Sequence, residues 1–266
     1  MPDAVARPEA APIAIVGAMH EEIAALLAAM PDEAPQRVAG REFWRGHLDG
    51  TPVVVVLSRI GKVAAATTAT VLAERFGVRA LLFTGVAGGL GADVRVGDVV
   101  VADALLQHDM DASPLFPKHE VPLTGRARFE ADAALADTLA CAANAVLADP
   151  ALLVGAQAQA EFALQAPRVH RGLVVSGDRF VCTAQESAAL RQALPDALAV
   201  EMEGAALAQV CHDYGLPFAM VRTISDRADD AAHIDFPRFV GAVASHYSLA
   251  IVRGALRAIA LAYSTR

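Results

Sequence analysis

Short apolar runs, each followed by a helix-like segment, recur along this chain and limit what it can fold into more than any other feature. PIAIVGA, from Pro12 to Ala18, is rich in β-branched residues and contains a glycine near its end, and HEEIAALLAAM follows it. That pairing reads as a strand feeding a helix. REFWRGHLDG and TPVVVVLSRI read as two strands joined at Asp49-Gly50, a dipeptide suited to the positive φ angles of a hairpin turn. A helix is expected from about Lys62 to Arg75. RALLFTG then reads as a buried strand, VAGGLGADV as a glycine-rich turn and GDVVVADALL as a further strand. HDMDASPLFPKHEVPLTG, from His108 to Gly125, carries prolines and mixed charges, the composition of a long loop of functional or interfacial use. Helices are expected over much of Phe129 to Gln159, strands in RGLVVSGDRFV, ALAVEME and LPFAMVRTISD, and a final helix from about Asp235 to Tyr263.

With no repeat or linker, this alternation predicts a single-domain, three-layer α/β/α fold around a mixed central sheet, over residues 12–266 after a loose leader, 1–11. Hydrophobic residues make up 55% of the 266, ample for a core of that size. The apolar stretches are broken by Asp, Arg or Gly before the roughly 18 residues a membrane span needs, so no membrane association is expected. MPDAVARPEAAP at the start has no continuous apolar region of the secretory type. A net charge of −8, without Lys/Arg clusters interleaved with aromatics, argues against nucleic acid as a partner. Cys141, Cys182 and Cys211 are odd in number and lack C-x-x-C spacing, which fits reduced thiols and a cytoplasmic location.

In open α/β sheets a ligand sits beyond the carboxyl ends of the strands. Glu22, Thr84, Gly85, Glu201, Met202, Glu203, Arg222, Ser225 and Asp226 all fall at such ends. Each has a plainer reading as well. Glu21 and Glu22 suit the first turn of a helix, where the dipole favours acids. Gly85, Gly88 and Gly89 suit a turn, and no G-x-G-x-x-G follows them. Ser225 and Asp226 suit a helix cap, and Phe180 suits a core. His20, His108, His212 and His233 are not spaced as a metal set, so no metal is expected.

The runs IVGAMHEEI, SRIGKVAAA, TGVAGGL, VGDVVVAD, VSGDRFV, AVEMEGAALAQVC and VRTISDRAD, in this order, resemble the 5′-methylthioadenosine/S-adenosylhomocysteine nucleosidases of the purine nucleoside phosphorylase superfamily. The likeness extends from Pro12 to the C-terminal helix, and EMEGAA followed by ISD is its most specific element. It implies hydrolysis of the N-glycosidic bond of small adenine nucleosides, with no cofactor. Asp226 matches the general acid at adenine N7, with Ser225 orienting it. Glu22 matches the carboxylate that activates water, and Arg222 a residue that helps to fix that water. Glu203 matches the acceptor for the ribose hydroxyls, and Met202 the residue packed beneath the sugar. Phe180 is the expected stacking partner of adenine, Val181 reads the base edge through its backbone, and Val86 and Gly88 border the substrate. Ile60 and Phe236 form the wall around the 5′-alkylthio group. Glu201, on the opposite side of a strand-like alternation, reads as structural.

A homodimer is implied too, with Leu115, Phe116 and Pro122 reaching into the neighbouring subunit's pocket. The chain departs from the family pattern at Val86, where Ser is usual, at Arg59, where Gly is common, and along ASPLFPKHEVPLTG. Related 5′-deoxyadenosine or aminodeoxyfutalosine substrates stay open. Two alternatives are a phosphate-dependent phosphorylase of the same superfamily, which would need cationic donors where Glu22 stands, and a non-catalytic adenine-nucleoside sensor.

Overall fold

A computed structural model of the protein describes residues 11–228 and 236–264. Residues 1–10 of the expected leader, together with His233 and Asp235, lie outside the described residues. The chain forms β1 (Ile13–Gly17), α1 (His20–Ala28), β2 (Ala34–Val38), β3 (Arg41–Leu48), β4 (Thr51–Leu57), α2 (Lys62–Val71), β5 (Ala80–Phe83), β6 (Val86–Gly89) and β7 (Val99–Gln107). There follow β8 (Arg128–Glu130), α3 (Ala133–Leu147), α4 (Pro150–Glu161), β9 (Val169–Ser176), α5 (Ala184–Ala193), β10 (Ala197–Glu201), α6 (Gly204–Asp213), β11 (Phe218–Asp226), α7 (Phe236–Phe239) and α8 (Ser245–Ser264).

The strands make one mixed sheet in the order β2-β3-β4-β1-β5-β11-β6-β10-β9-β7-β8. β1 runs parallel to β4 and β5, as a strand buried on both faces and entered through helical crossovers does. Its alternate residues feed two cores. Ile13 and Ile15, with Val53 and Val55 of β4, pack on the side of α1, α3 and α8. Ala14 and Val16, with Val54 and Val56, pack on the side of α2 and α6. Full burial of each such side chain contributes roughly 1.5–3 kcal/mol, so both faces of these strands hold the layers together.

The second half of the sheet closes on itself. β11 pairs in parallel with β6, β6 antiparallel with β10, β10 parallel with β9, β9 parallel with β7, and β7 antiparallel with β11. This ring depends on Val86–Gly89, which the sequence marks as part of a turn and the structure makes a strand. A Cβ on Gly88 would meet Ala228 Cβ at 2.9 Å and Asp226 Oδ1 at 3.0 Å. Glycine there serves the close approach of β6 to β11.

The helix expected over Lys62 to Arg75 runs as α2 to Val71 and continues as a wider turn, Leu72–Phe76, before Gly77. The segment 236–262 is long and apolar enough to cross a bilayer, contrary to the sequence expectation, but 61% of its most apolar window is buried in the protein. It is a core helix whose Arg253 and Arg257 both pair with Asp49 at the β3–β4 turn.

Candidate active site

Seven stretches of the described chain line one cavity at the carboxyl ends of the strands, and four of them bring polar side chains, Glu22, Arg179, Glu201 with Glu203, and Ser225 with Asp226. The lining includes Met19, Glu22, Ile60, Val86, Gly88, Phe180, Val181, Glu201, Met202, Glu203, Ser225, Asp226 and Phe236. Glu22 and Asp226 therefore share a cavity, although 204 positions apart in sequence by their numbers. Arg222 is not among the lining residues and sits just behind them, 1% exposed. Leu115, Phe116 and Pro122 do not line this cavity, and Leu115 is exposed.

Glu22 stands in the first turn of α1, where the sequence alone permits a solvated acid, yet it is buried. Its Oε2 accepts from the backbone N–H of Ala18 at 2.6 Å and of Met19 at 3.0 Å, and Oε1 from that of Val86 at 3.1 Å. One side chain thus caps its own helix and joins β1 to β6. Burial raises its pKa, against the opposing pull of the Arg222 guanidinium and the three N–H donors. Between Glu22 and Arg222 lies Gly85, at φ +144°, where a Cβ would overlap Glu22 Oε1 and Arg222 Nη1 together. Any side chain at this position separates the two charges.

Asp226 is the last residue of β11. A register shift between Ile224 and Asp226 marks a bulge at Ser225. In a regular strand these neighbours point to opposite faces, but the bulge lets both meet the cavity. Ser225 Oγ donates to Asp226 Oδ2 at 2.7 Å, and the Ala228 N–H donates to Oδ1 at 2.7 Å. Among the described residues neither caps a helix.

Glu201, the last residue of β10, reads from sequence as turned away from Glu203, but residues two apart along a strand share a face, and the chain passes into α6 directly after Glu203. Both residues line the cavity. Glu203 Oε1 accepts from the Gly61 N–H at 2.9 Å. Burial, and then the neighbouring Glu201, push the Glu203 pKa up to about 8, with Arg222 opposing. Glu22, Glu201 and Glu203 are three buried acids around one buried cation, so the cluster favours retaining a proton.

That imbalance has a pH consequence. Below about pH 4.5 Glu203 is protonated whether the chain is folded or not; between there and about pH 8 the unfolded chain releases the proton while the folded chain keeps it. The folded state then binds more protons, so its stability is expected to fall as pH rises through this window. Melting temperatures of ligand-free protein and of Glu203→Gln, taken across the window, check this. The variant should be flatter, and parallel curves would discard Glu203 as the source.

At the other end of the cavity Phe180 is 45% exposed and meets Phe236 edge to face at 6.4 Å between centroids. An aromatic held half open by a second aromatic offers a face to a flat ring. Ile60, exposed by 58%, and Met19 add apolar surface. Met19 and Arg179 were not singled out by sequence reasoning. Met19 is the residue before α1, at the carboxyl end of β1, one strand removed from β11 across β5.

A mixed sheet, closed in one half and carrying this cavity at its strand ends, is matched over residues 12–257 by the family model of the phosphorylase superfamily. Among solved structures, a 5′-methylthioadenosine/S-adenosylhomocysteine nucleosidase from Neisseria meningitidis in complex with methylthio-immucillin-A is 34% identical, with a TM-score of 0.80 over 93% of this chain and 99% of that one. A Helicobacter pylori nucleosidase variant with 5′-methylthioadenosine in its active site is 30% identical, with a TM-score of 0.79 over 96% of this chain and 100% of that one. The futalosine hydrolase of Helicobacter pylori is 32% identical, with a TM-score of 0.77 over 93% of this chain and 97% of that one. The chain belongs to the 5′-methylthioadenosine/S-adenosylhomocysteine nucleosidase family of the phosphorylase superfamily.

Proposed function

We propose that this protein hydrolyses the N-glycosidic bond of 5′-methylthioadenosine and S-adenosylhomocysteine, releasing adenine and a 5-thio-substituted ribose. The observation that carries this reading is the pair of carboxyl groups in one cavity, Glu22 sealed among backbone N–H groups and Asp226 set beside Ser225. In the reaction the bond from C1′ to the purine nitrogen breaks with its electrons passing to the base. Asp226 supplies a proton to N7, so adenine leaves neutral. Glu22 takes a proton from water as its oxygen bonds to C1′. An acid on one side of a sugar and a base on the other is the logic of glycoside hydrolysis through an oxocarbenium-like state. Burial that raises the Glu22 pKa brings the base nearer to neutral pH, where proton transfer is most effective.

The remaining residues divide by chemistry. Glu203 accepts the ribose hydroxyls, Met202 packs beneath the sugar, Phe180 stacks on adenine while the Val181 backbone reads its edge, and Ile60 with Phe236 encloses the 5′ substituent. Val86 and Gly88 border the reacting face. Arg222 acts from behind the cavity floor, balancing the Glu22 charge across Gly85.

Phosphate has little to bind here. Among the described lining residues the only cation is Arg179, and it pairs with Glu186. Adenine release from a panel of purine nucleosides is therefore expected to proceed equally with and without phosphate. Release that requires phosphate makes this a phosphorylase, and tight binding without release makes it a sensor. We further propose a cytoplasmic homodimer acting in methionine salvage, in which Leu115, Phe116 and Pro122 complete the 5′ end of the neighbouring site. Light scattering on the assayed sample tests the dimer, and a fully active monomer excludes it.

A further inference from the structure

Glu201 has no role in the chemistry above, yet it is among the most fully engaged side chains in the protein. Its Oε2 accepts from Glu203 N–H at 3.1 Å, Gly204 N–H at 2.9 Å and Arg222 Nη2 at 2.6 Å. Its Oε1 accepts from Gly204 N–H at 2.9 Å and from the Ser176 hydroxyl. Ser176 Oγ also accepts from the Ala205 N–H at 2.7 Å, so its own hydrogen is directed at Glu201. The carboxylate is seated on the N-terminus of α6 and faces donors only.

Arg222 is held just as firmly. Nη1 donates to the Thr84 carbonyl at 2.8 Å, and the guanidinium lies over the Phe83 ring at 3.7 Å from its centroid. Its second carboxylate neighbour is Glu203, whose Oε2 is 3.8 Å from Nη2, the same nitrogen that donates to Glu201. Two acids thus face one guanidinium nitrogen, and Glu201 is the one within hydrogen-bond distance of it, while Glu203 stays in ion-pair range only. A bidentate or direct bond between Arg222 and Glu203 would use up the lone pairs that vicinal hydroxyls need.

We infer that Glu201 is a positioning residue: by capturing Arg222 it leaves the Glu203 carboxyl free to accept the hydroxyls of the substrate's ribose. This rests on the nucleosidase reading for the identity of the ligand. It also makes ribose recognition, and not overall stability, the property that Glu201 governs.

The test is Glu201→Gln, assayed with 5′-methylthioadenosine and with its 2′-deoxy analogue. Gln keeps the size of the side chain but has one acceptor oxygen in place of two, and its NH2 cannot accept from Arg222. Arg222 is then expected to turn to Glu203. Assayed above about pH 8, where Glu203 is ionised, the kcat/KM for the ribo compound should fall roughly 10- to 100-fold, the scale of one hydrogen bond to a charged group. The 2′-deoxy compound should fall much less, so the preference for ribose collapses. In a Glu203→Gln background the same substitution should leave the preference unchanged. If Glu201→Gln does not fold, Ser176→Ala loosens the same carboxylate and should move the preference in the same direction by a smaller factor. A ribo-to-deoxy ratio within about threefold of the parent in whichever of these variants folds overturns the inference, since hydrogen-bond loss at a charged acceptor exceeds that. Should the parent release no adenine at all, the nucleosidase reading fails. The ratio of dissociation constants for the two compounds, by calorimetry, then decides the role of Glu201 separately.

Discussion

Asp226→Asn is expected to lower adenine release by about 10²- to 10⁴-fold while nucleoside binding persists, because the variant keeps the shape of the acid and loses its proton. The local structure makes this a clean substitution. Asn retains an oxygen for the Ala228 N–H, which now meets Oδ1 at 2.7 Å. Its NH2 can face Ser225 Oγ, a hydroxyl that accepts as readily as it donates. What is lost is the proton shared with N7, so the purine must depart with its negative charge uncompensated. Adenine release followed under single-turnover conditions, with the dissociation constant measured alongside, separates the two effects. Turnover close to that of the parent would remove Asp226 from the mechanism.

Glu22→Gln is expected to cause a loss of similar size, about 10²- to 10⁴-fold, for a different reason. Three backbone N–H groups point at this carboxylate from Ala18, Met19 and Val86. A carboxylate satisfies all three, whereas an amide has one oxygen and must turn its NH2 toward at least one donor. The variant therefore removes the base and also disturbs the junction between β1 and β6. Glu22→Asp separates the causes, since it keeps the charge and withdraws it by one methylene. It should recover part of the lost rate, and Glu22→Gln should not. The pH profile gives a second check. With its pKa raised by burial, Glu22 should place the acidic limb of kcat/KM above the range of a free carboxylic acid, and Glu22→Gln should erase that limb. An unchanged limb in an active Glu22→Gln enzyme would assign the base to another group.

Arg222 illustrates how position alters a role expected from sequence. It was expected beside the attacking water, and it lies beneath the cavity surface with its two terminal nitrogens already committed. Its influence on the reacting face is exerted through charge, across the gap that Gly85 leaves open. Glu201 illustrates the reverse. It reads as structural from sequence, yet residues two apart on a strand share a face, so Glu201 and Glu203 turn to the same side where β10 leads into α6, and both line the cavity.

Runs such as IAIV, VVVV and ALLF and the turn at Asp49-Gly50 carried the order of strands and helices in their own residues, because burial and turn conformation are local demands. The motif residues likewise announced most of the cavity lining, from Glu22 through Met202 and Glu203 to Asp226. No local pattern revealed that a glycine run would become β6, or that five strands would close into a ring, since each depends on a partner far along the chain. Glu22 acquires its third donor 64 residues away at Val86, Glu201 meets Arg222 across 21 residues, and Gly61 reaches Glu203 across 142. Whether an acid is a solvated helix cap or a buried base is set by those encounters, because burial and charge partners, and not residue type, determine where its proton resides.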